Sequence, residues 1–158
     1  MSKKLISFLT IVFLILLISF SALFIRTQDR IYRAEDEAVK LVSYDHEVKK
    51  VNKFYWSTID KTYFALDFIG KDKKQHYALI AQDGGDTHYF TPNDIISEED
   101  AKAITLNDVK PHRILQMRLS LLNAKPVWEA TIKNKNGTLT YYTISAADGS
   151  WIQTIENL

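Results

Sequence analysis

Four histidines, His46, His76, His88 and His112, are the side chains best suited to metal binding or proton transfer, and no cysteine accompanies them. No two stand three or four residues apart, the spacing with which one helix face offers a ligand pair to zinc, so they read as strand and loop residues. Absence of cysteine removes thiol catalysis and thiolate metal sites. Two acidic runs, Glu35-Asp36-Glu37 and Glu98-Glu99-Asp100, hold enough carboxylate for paired acid–base chemistry. Each lies in a helix-like segment, however, and carboxylates near a helix start are explained by the helix dipole. Asp83-Gly84-Gly85-Asp86 lacks the spaced oxygen ligands and closing glutamate of a calcium loop and reads as a turn. The five glycines, Gly70, Gly84, Gly85, Gly137 and Gly149, sit in turn contexts rather than in a phosphate-cradling loop. No Gly-x-Ser-x-Gly elbow presents a serine nucleophile. Asn136-Gly137-Thr138 fits a glycosylation sequon, but a turn accounts for it without sugar. The expectation is no enzyme, with no catalytic, cofactor-binding or metal-ligating residue.

The segment with the plainest physical meaning is Leu5 to Ile25, a run of Leu, Ile, Phe and Val without charge or proline. At about 1.5 Å rise per residue, about 20 residues cover a hydrocarbon core of about 30 Å, so one helix there spans a bilayer. A cleaved signal peptide competes with this reading, since Ser19-Phe20-Ser21 offers small residues to a peptidase. The run is longer than the usual apolar core of a signal peptide, which favours an uncleaved signal anchor. Lys3 and Lys4 lie on one side and Arg26, Arg30 and Arg33 on the other, so positive charge alone does not orient it. The short N-terminal flank favours N-inside, with residues 26–158 extracytoplasmic. Net charge is only +1, which gives no sign of a nucleic-acid partner.

Beyond the anchor the chain resembles itself. Tyr63-Phe64-Ala65-Leu66-Asp67-Phe68, then Tyr77-Ala78-Leu79-Ile80-Ala81 and Thr87-His88-Tyr89-Phe90, match in pattern Val127-Trp128-Glu129-Ala130-Thr131-Ile132, Tyr141-Tyr142-Thr143-Ile144-Ser145 and Trp151-Ile152-Gln153. Each set follows a helix-like segment, 34–41 and 97–104. The second helix has Ser97 as N-cap with Asp100 three residues on, and Ala101, Ile104 and Leu106 on one side. Leu115, Met117, Leu119 and Leu121 alternate with polar residues as a strand does. Asn136-Gly137 predicts a two-residue type I′ hairpin turn. Each unit is thus one helix on a small antiparallel sheet, an α+β arrangement occurring twice. The boundaries expected are 1–4 for the cytoplasmic N-terminus, 5–25 for the transmembrane anchor, 26–93 for the first module and 94–158 for the second. Alternation points Phe64, Leu66, Phe68, Trp128, Ala130, Ile132, Tyr142 and Ile144 inward. Tyr63, Tyr77, Tyr141 and either Tyr55 or Trp56 are left on the other face, which either binds a partner or is buried between the two modules.

The second unit resembles the PepSY domain of exported and membrane-bound bacterial proteins. The residues that carry the resemblance are Ile96-Ser97-Glu98-Glu99-Asp100-Ala101-Lys102-Ala103-Ile104, Pro126-Val127-Trp128-Glu129-Ala130-Thr131-Ile132 and Tyr141 to Ile152. In place of the usual Asp, Thr-Gly pair and aliphatic residue, Gly149 directly follows Asp148 and Trp151 replaces the aliphatic. An anchor followed by two such modules resembles the TseB/YpmB-like family of Gram-positive bacteria, which implies a role in cell-wall elongation through a penicillin-binding protein. The reading is a non-enzymatic, single-pass membrane protein that binds and modulates an envelope protein. The alternatives are a peptidase-inhibitor or propeptide-like module and a sensor of wall-derived ligands held between the modules. The expected partner-binding face is the outer face of the second module, around Arg118, Glu129, Thr131 and Tyr141. Only Arg26 to Arg33 separate the membrane run from the first amphipathic helix, on which Ile31, Ala34, Ala38 and Leu41 share a face, so the first module is expected at the headgroups.

Overall fold

The structure, a computed structural model, describes residues 3–84, 86–110, 113–156 and 158. His112 and Gly85, weighed above as a ligand and as a turn residue, lie outside the described residues. The chain divides into two compact units, one ending at Glu37 and one spanning Ala38–Leu158.

Helix α1 runs without interruption over Lys3–Val42. It is long and apolar enough to cross a membrane by length and composition, a test that a signal sequence also passes. Its apolar side chains are uncovered: Phe13, Leu16, Ile18 and Phe20 are each more than three-fifths exposed. Water does not tolerate such a stripe over a full helix, whereas lipid does. The segment 26–33 between the apolar run and the amphipathic stretch is part of the same helix. Ala34 and Ala38 are buried as expected, but Ile31 and Leu41 are exposed, and Val42 is fully buried in place of Leu41. Within the second unit the covered positions of the helix are Ala38 and Val42, about one turn apart.

The second unit holds two four-stranded antiparallel sheets, each ordered by sequence. The first has β1 (Val48–Thr58), β2 (Thr62–Gly70), β3 (Gln75–Ala81) and β4 (Thr87–Phe90). Helix α2 (Glu98–Val109) follows, and then β5 (Arg113–Leu122), β6 (Lys125–Lys133), β7 (Leu139–Ser145) and β8 (Trp151–Ile155). The fold is α+β. The inward set is buried throughout, including Leu66, Phe68, Trp128, Ala130, Ile132 and Ile144.

The other face of the first sheet is buried as well. Tyr55, Tyr63, Ala65, Tyr77 and Leu79 belong to one hydrophobic core with Ala101 of α2 and Met117, Leu119, Trp128, Ala130 and Tyr142 of the second sheet. Tyr55 meets Trp128 edge-on, ring centroids 5.5 Å apart. Of the two fates left open for that face, burial within the unit is the one observed for Tyr55, Tyr63 and Tyr77.

Local chemistry sets the ends of these elements. Ser97 Oγ accepts from the Asp100 amide at 3.1 Å and donates to Asp100 Oδ2 at 2.7 Å, closing the start of α2. Thr105, not Leu106, lies on the buried side of that helix; Leu106 is 49% exposed. The Asn136-Gly137 turn differs from the type I′ expectation. Gly137 has φ +89° while Asn136 keeps a negative φ, and the Gly137 amide donates to the Asn134 carbonyl at 3.0 Å. That is a longer loop in which one glycine takes the left-handed position. Positive φ at two successive residues occurs instead at Asn123 (φ 52°) and Ala124 (φ 60°), between β5 and β6.

Candidate functional site

The four residues expected to meet a partner do share one face of the second sheet. Arg118 pairs with Glu129 across β5 and β6, and Thr131 with Tyr141 across β6 and β7. Arg118 Nη1 donates to Glu129 Oε1 at 3.3 Å and to Thr131 Oγ1 at 3.1 Å, and Nη2 donates to Gln116 Oε1 at 2.7 Å. Glu129 and Thr131 are each only 7% exposed, so the reachable members are Arg118 and Tyr141. Burial raises the Glu129 pKa above its usual value, and the Arg118 charge and hydrogen bond only partly oppose it. Trp56 and Ile59 of the β1–β2 hairpin, with Ile155 and Leu158, complete the rim of a hollow of about 380 Å³ over Arg118, Glu129 and Tyr141. Ser120 and Thr143, also between these strands, are buried without a hydrogen-bond partner. The face is therefore polar at its base and aromatic or aliphatic at its rim.

A second polar centre forms where α2 begins. Glu98 is the first residue of the helix and 7% exposed. Its carboxylate accepts from Tyr55 Oη at 2.7 Å, from Lys102 Nζ at 2.5 Å and from Lys53 Nζ. Burial pushes its pKa up, but the three donors outweigh burial and hold it below the usual carboxylate range. Burial together with Glu98 pushes the Tyr55 phenol far above its usual value. The acidic run gave only the helix-dipole argument; what converts Glu98 into a buried ion is β1 passing over the helix start. No local signal in the sequence marks it, since Lys53 and Tyr55 lie more than forty residues away.

Beside Glu98 a cleft of about 540 Å³ opens between the first sheet and the start of α2. It is lined by Asn52, Asp67, Gln75 and Tyr77 of the first sheet and by Asn93, Ile95 and Ile96 ahead of α2. Asp67 Oδ1 accepts from Asn52 Nδ2 and Gln75 Nε2, both at 2.9 Å, and Gln75 Nε2 also donates to Tyr77 Oη at 3.0 Å. Burial first, then the nearby carboxylates, push the Tyr77 phenol up to about 12.

His46 and His76 come together although they are distant in sequence, with ring centroids 5.8 Å apart, and His76 bonds Asp72 at 3.0 Å. No group of three or more His, Cys, Asp or Glu is placed to hold a metal ion among the described residues.

Against this geometry, residues 95–152 match the family model described as "Peptidase propeptide and YPEB domain", known as PepSY. The match runs from the turn before α2 into β8, so the chain carries a PepSY domain there and no enzyme family is indicated. Among solved structures, the YpmB protein from Bacillus subtilis is similar with a TM-score of 0.66 and 16% identity, covering 76% of this chain and 95% of that one. At that identity the likeness is one of fold. No curated protein matches the chain.

Proposed function

We propose that this chain is a non-catalytic, single-pass membrane protein whose extracytoplasmic unit binds and modulates a cell-envelope protein, a penicillin-binding protein of wall elongation. The observation that carries the reading is the combination of an uncovered apolar helix with a PepSY domain in one short chain. In this reading the anchor is N-inside and uncleaved, and confinement to the membrane plane raises the effective concentration for any partner in the same bilayer. The boundaries 26–93 and 94–158 mark two tandem modules, the end of α1 serving the first sheet as α2 serves the second. Burial of Ala38 and Val42 and the repeated order of one helix and four strands support that arrangement. The partner meets the outer face of the second sheet through Arg118 and Tyr141, with Glu129 and Thr131 fixing the arginine.

The experiment places a photo-crosslinking phenylalanine analogue at Tyr141 in the full chain and irradiates intact cells. Capture of a protein that a fluorescent penicillin also labels is the expected result. Failure of crosslinking there, with the protein folded and membrane-bound, overturns the assignment of the face. A second reading, a peptidase inhibitor or propeptide-like module, is supported by the description of the matching family. It predicts that the soluble unit slows hydrolysis by an envelope protease.

A further inference from the structure

The cleft at the start of α2 has unspent hydrogen-bonding capacity of a particular kind. Gln75 spends both hydrogens of its amide on Asp67 and Tyr77, and Asp67 Oδ1 is doubly occupied. What remains among the lining residues is acceptor capacity on Asp67, Asn52 and Gln75, together with two donors, the second amide hydrogen of Asn52 and the hydroxyl of Tyr77. Tyr77 is 4% exposed, and its hydroxyl accepts from Gln75 while none of the hydrogen bonds of the described residues uses its own proton. A buried hydroxyl proton without an acceptor is costly, and a bound ligand can relieve it. Asn93 also lines the cleft, and its amide can both donate and accept.

Charge narrows the chemistry. Asp67, Glu98, Glu99 and Asp100 line the cleft against Lys53 and Lys102, and both lysines are already bonded to Glu98. An anion is repelled by this excess. An ammonium group fits the acceptors but cannot take the Tyr77 proton. A hydroxyl does both, because it donates and accepts at one atom. Peptide amides also do both, and Ile95 and Ile96 line the cleft as well, but the clustered polar groups of Asn52, Asp67, Gln75 and Tyr77 favour the denser hydroxyls of a sugar, and a peptide is an outcome of the test.

We propose that this cleft is a binding site for a neutral saccharide, gripped by Asn52, Asp67, Gln75, Tyr77 and Asn93. The site is separate from the outer face assigned to the protein partner, and either assignment stands if the other fails. Its internal hydrogen bonds hold the side chains in place before the ligand arrives, which lowers the ordering cost on binding.

The test uses the full chain in detergent micelles, titrated by calorimetry with chitotetraose and with maltotetraose, the first an amino-sugar chain and the second a glucose chain. Saturable binding of at least one is expected, with the stronger arm identifying the source. Asn93→Ala and Tyr77→Phe each weaken it about 5-fold, the loss of one hydrogen bond, while Lys135→Ala on the distant β6–β7 loop leaves it unchanged. Near-UV circular dichroism confirms that each variant keeps its fold, and Asn93, on an exposed loop, covers the case in which Tyr77→Phe does not fold. No binding of either sugar at about 10 mM overturns the proposal. So does unchanged affinity in a folded Asn93→Ala or Tyr77→Phe variant, or binding of a glycine–alanine tetrapeptide where both sugars fail.

Discussion

Glu98 and Glu129 are both buried glutamates facing cationic side chains, yet their environments push them in opposite directions. Glu98 has three donors and a pKa held down; Glu129 has one guanidinium at 3.3 Å and a pKa pushed up. Glu98→Gln should destabilise the unit by about 2 kcal/mol near pH 7, because it leaves Lys53 and Lys102 without their shared carboxylate. A depressed folded pKa gives stability that is present above the ordinary glutamate value of 4.5 and lost as pH falls through the folded value. The difference between wild type and Glu98→Gln in denaturant titrations should therefore shrink on acidification. Glu129→Gln should stay within about 1 kcal/mol of wild type at pH 7, since a poorly paired buried carboxylate gives little net stability. A raised folded pKa gives stability present below 4.5 and lost as pH rises through the folded value, so here wild type should gain on its variant as pH falls. Equal pH slopes for the two variants would contradict these assignments. Alternation along a strand was enough to place Arg118, Glu129, Thr131 and Tyr141 on one face. It carried no information on their depth, because burial of Glu129 and Thr131 depends on what the fold lays over that face.

At the level of elements, period predicted α2 and the strand at 115–121 but misplaced Leu106 and Leu115, both of which are exposed, the latter beside a register shift between Ile114 and Gln116; turn chemistry failed where a residue adopts a conformation foreign to its type. Asn136-Gly137 has the residues of a type I′ turn and does not form one, because its loop is long enough to use a single left-handed glycine. Asn123-Ala124 forms the tight left-handed connection without any glycine, with Leu122 opposite Lys125 as the closing pair. Alanine at φ 60° pays a steric cost that glycine does not. Ala124→Gly should accordingly stabilise the unit by about 0.5–1 kcal/mol, a rise in thermal midpoint of a few degrees in a scanning calorimeter. A loss of stability would mean that the alanine methyl makes a contact worth more than its strain. The helix over 34–41 was legible from its apolar spacing, but Val42 is buried and Leu41 exposed, a choice that spacing alone does not make.

For the molecule as a whole, the internal repeat made two similar sheets visible in advance, whereas their common core was not, since both burial and partner binding satisfy an apolar second face. The division of the chain at Glu37 and Ala38 carries its own expectation. A chain starting at Arg26 should leave the membrane fraction, appear in the supernatant and unfold with the thermal midpoint of the full protein. Persistence in the membrane pellet would refute α1 as the anchor. The shared core also bears on how the protein is made. A ribosome delivers the first sheet well before the residues that cover its tyrosine face, for Trp128 follows Tyr63 by about 65 positions. At about 5–20 residues per second that interval lasts several seconds. Throughout it Tyr55, Tyr63, Tyr77 and Leu79 lack the partners that bury them in the finished fold, so the newborn first half offers the kind of apolar surface that holding chaperones recognise until residues 95–152 emerge.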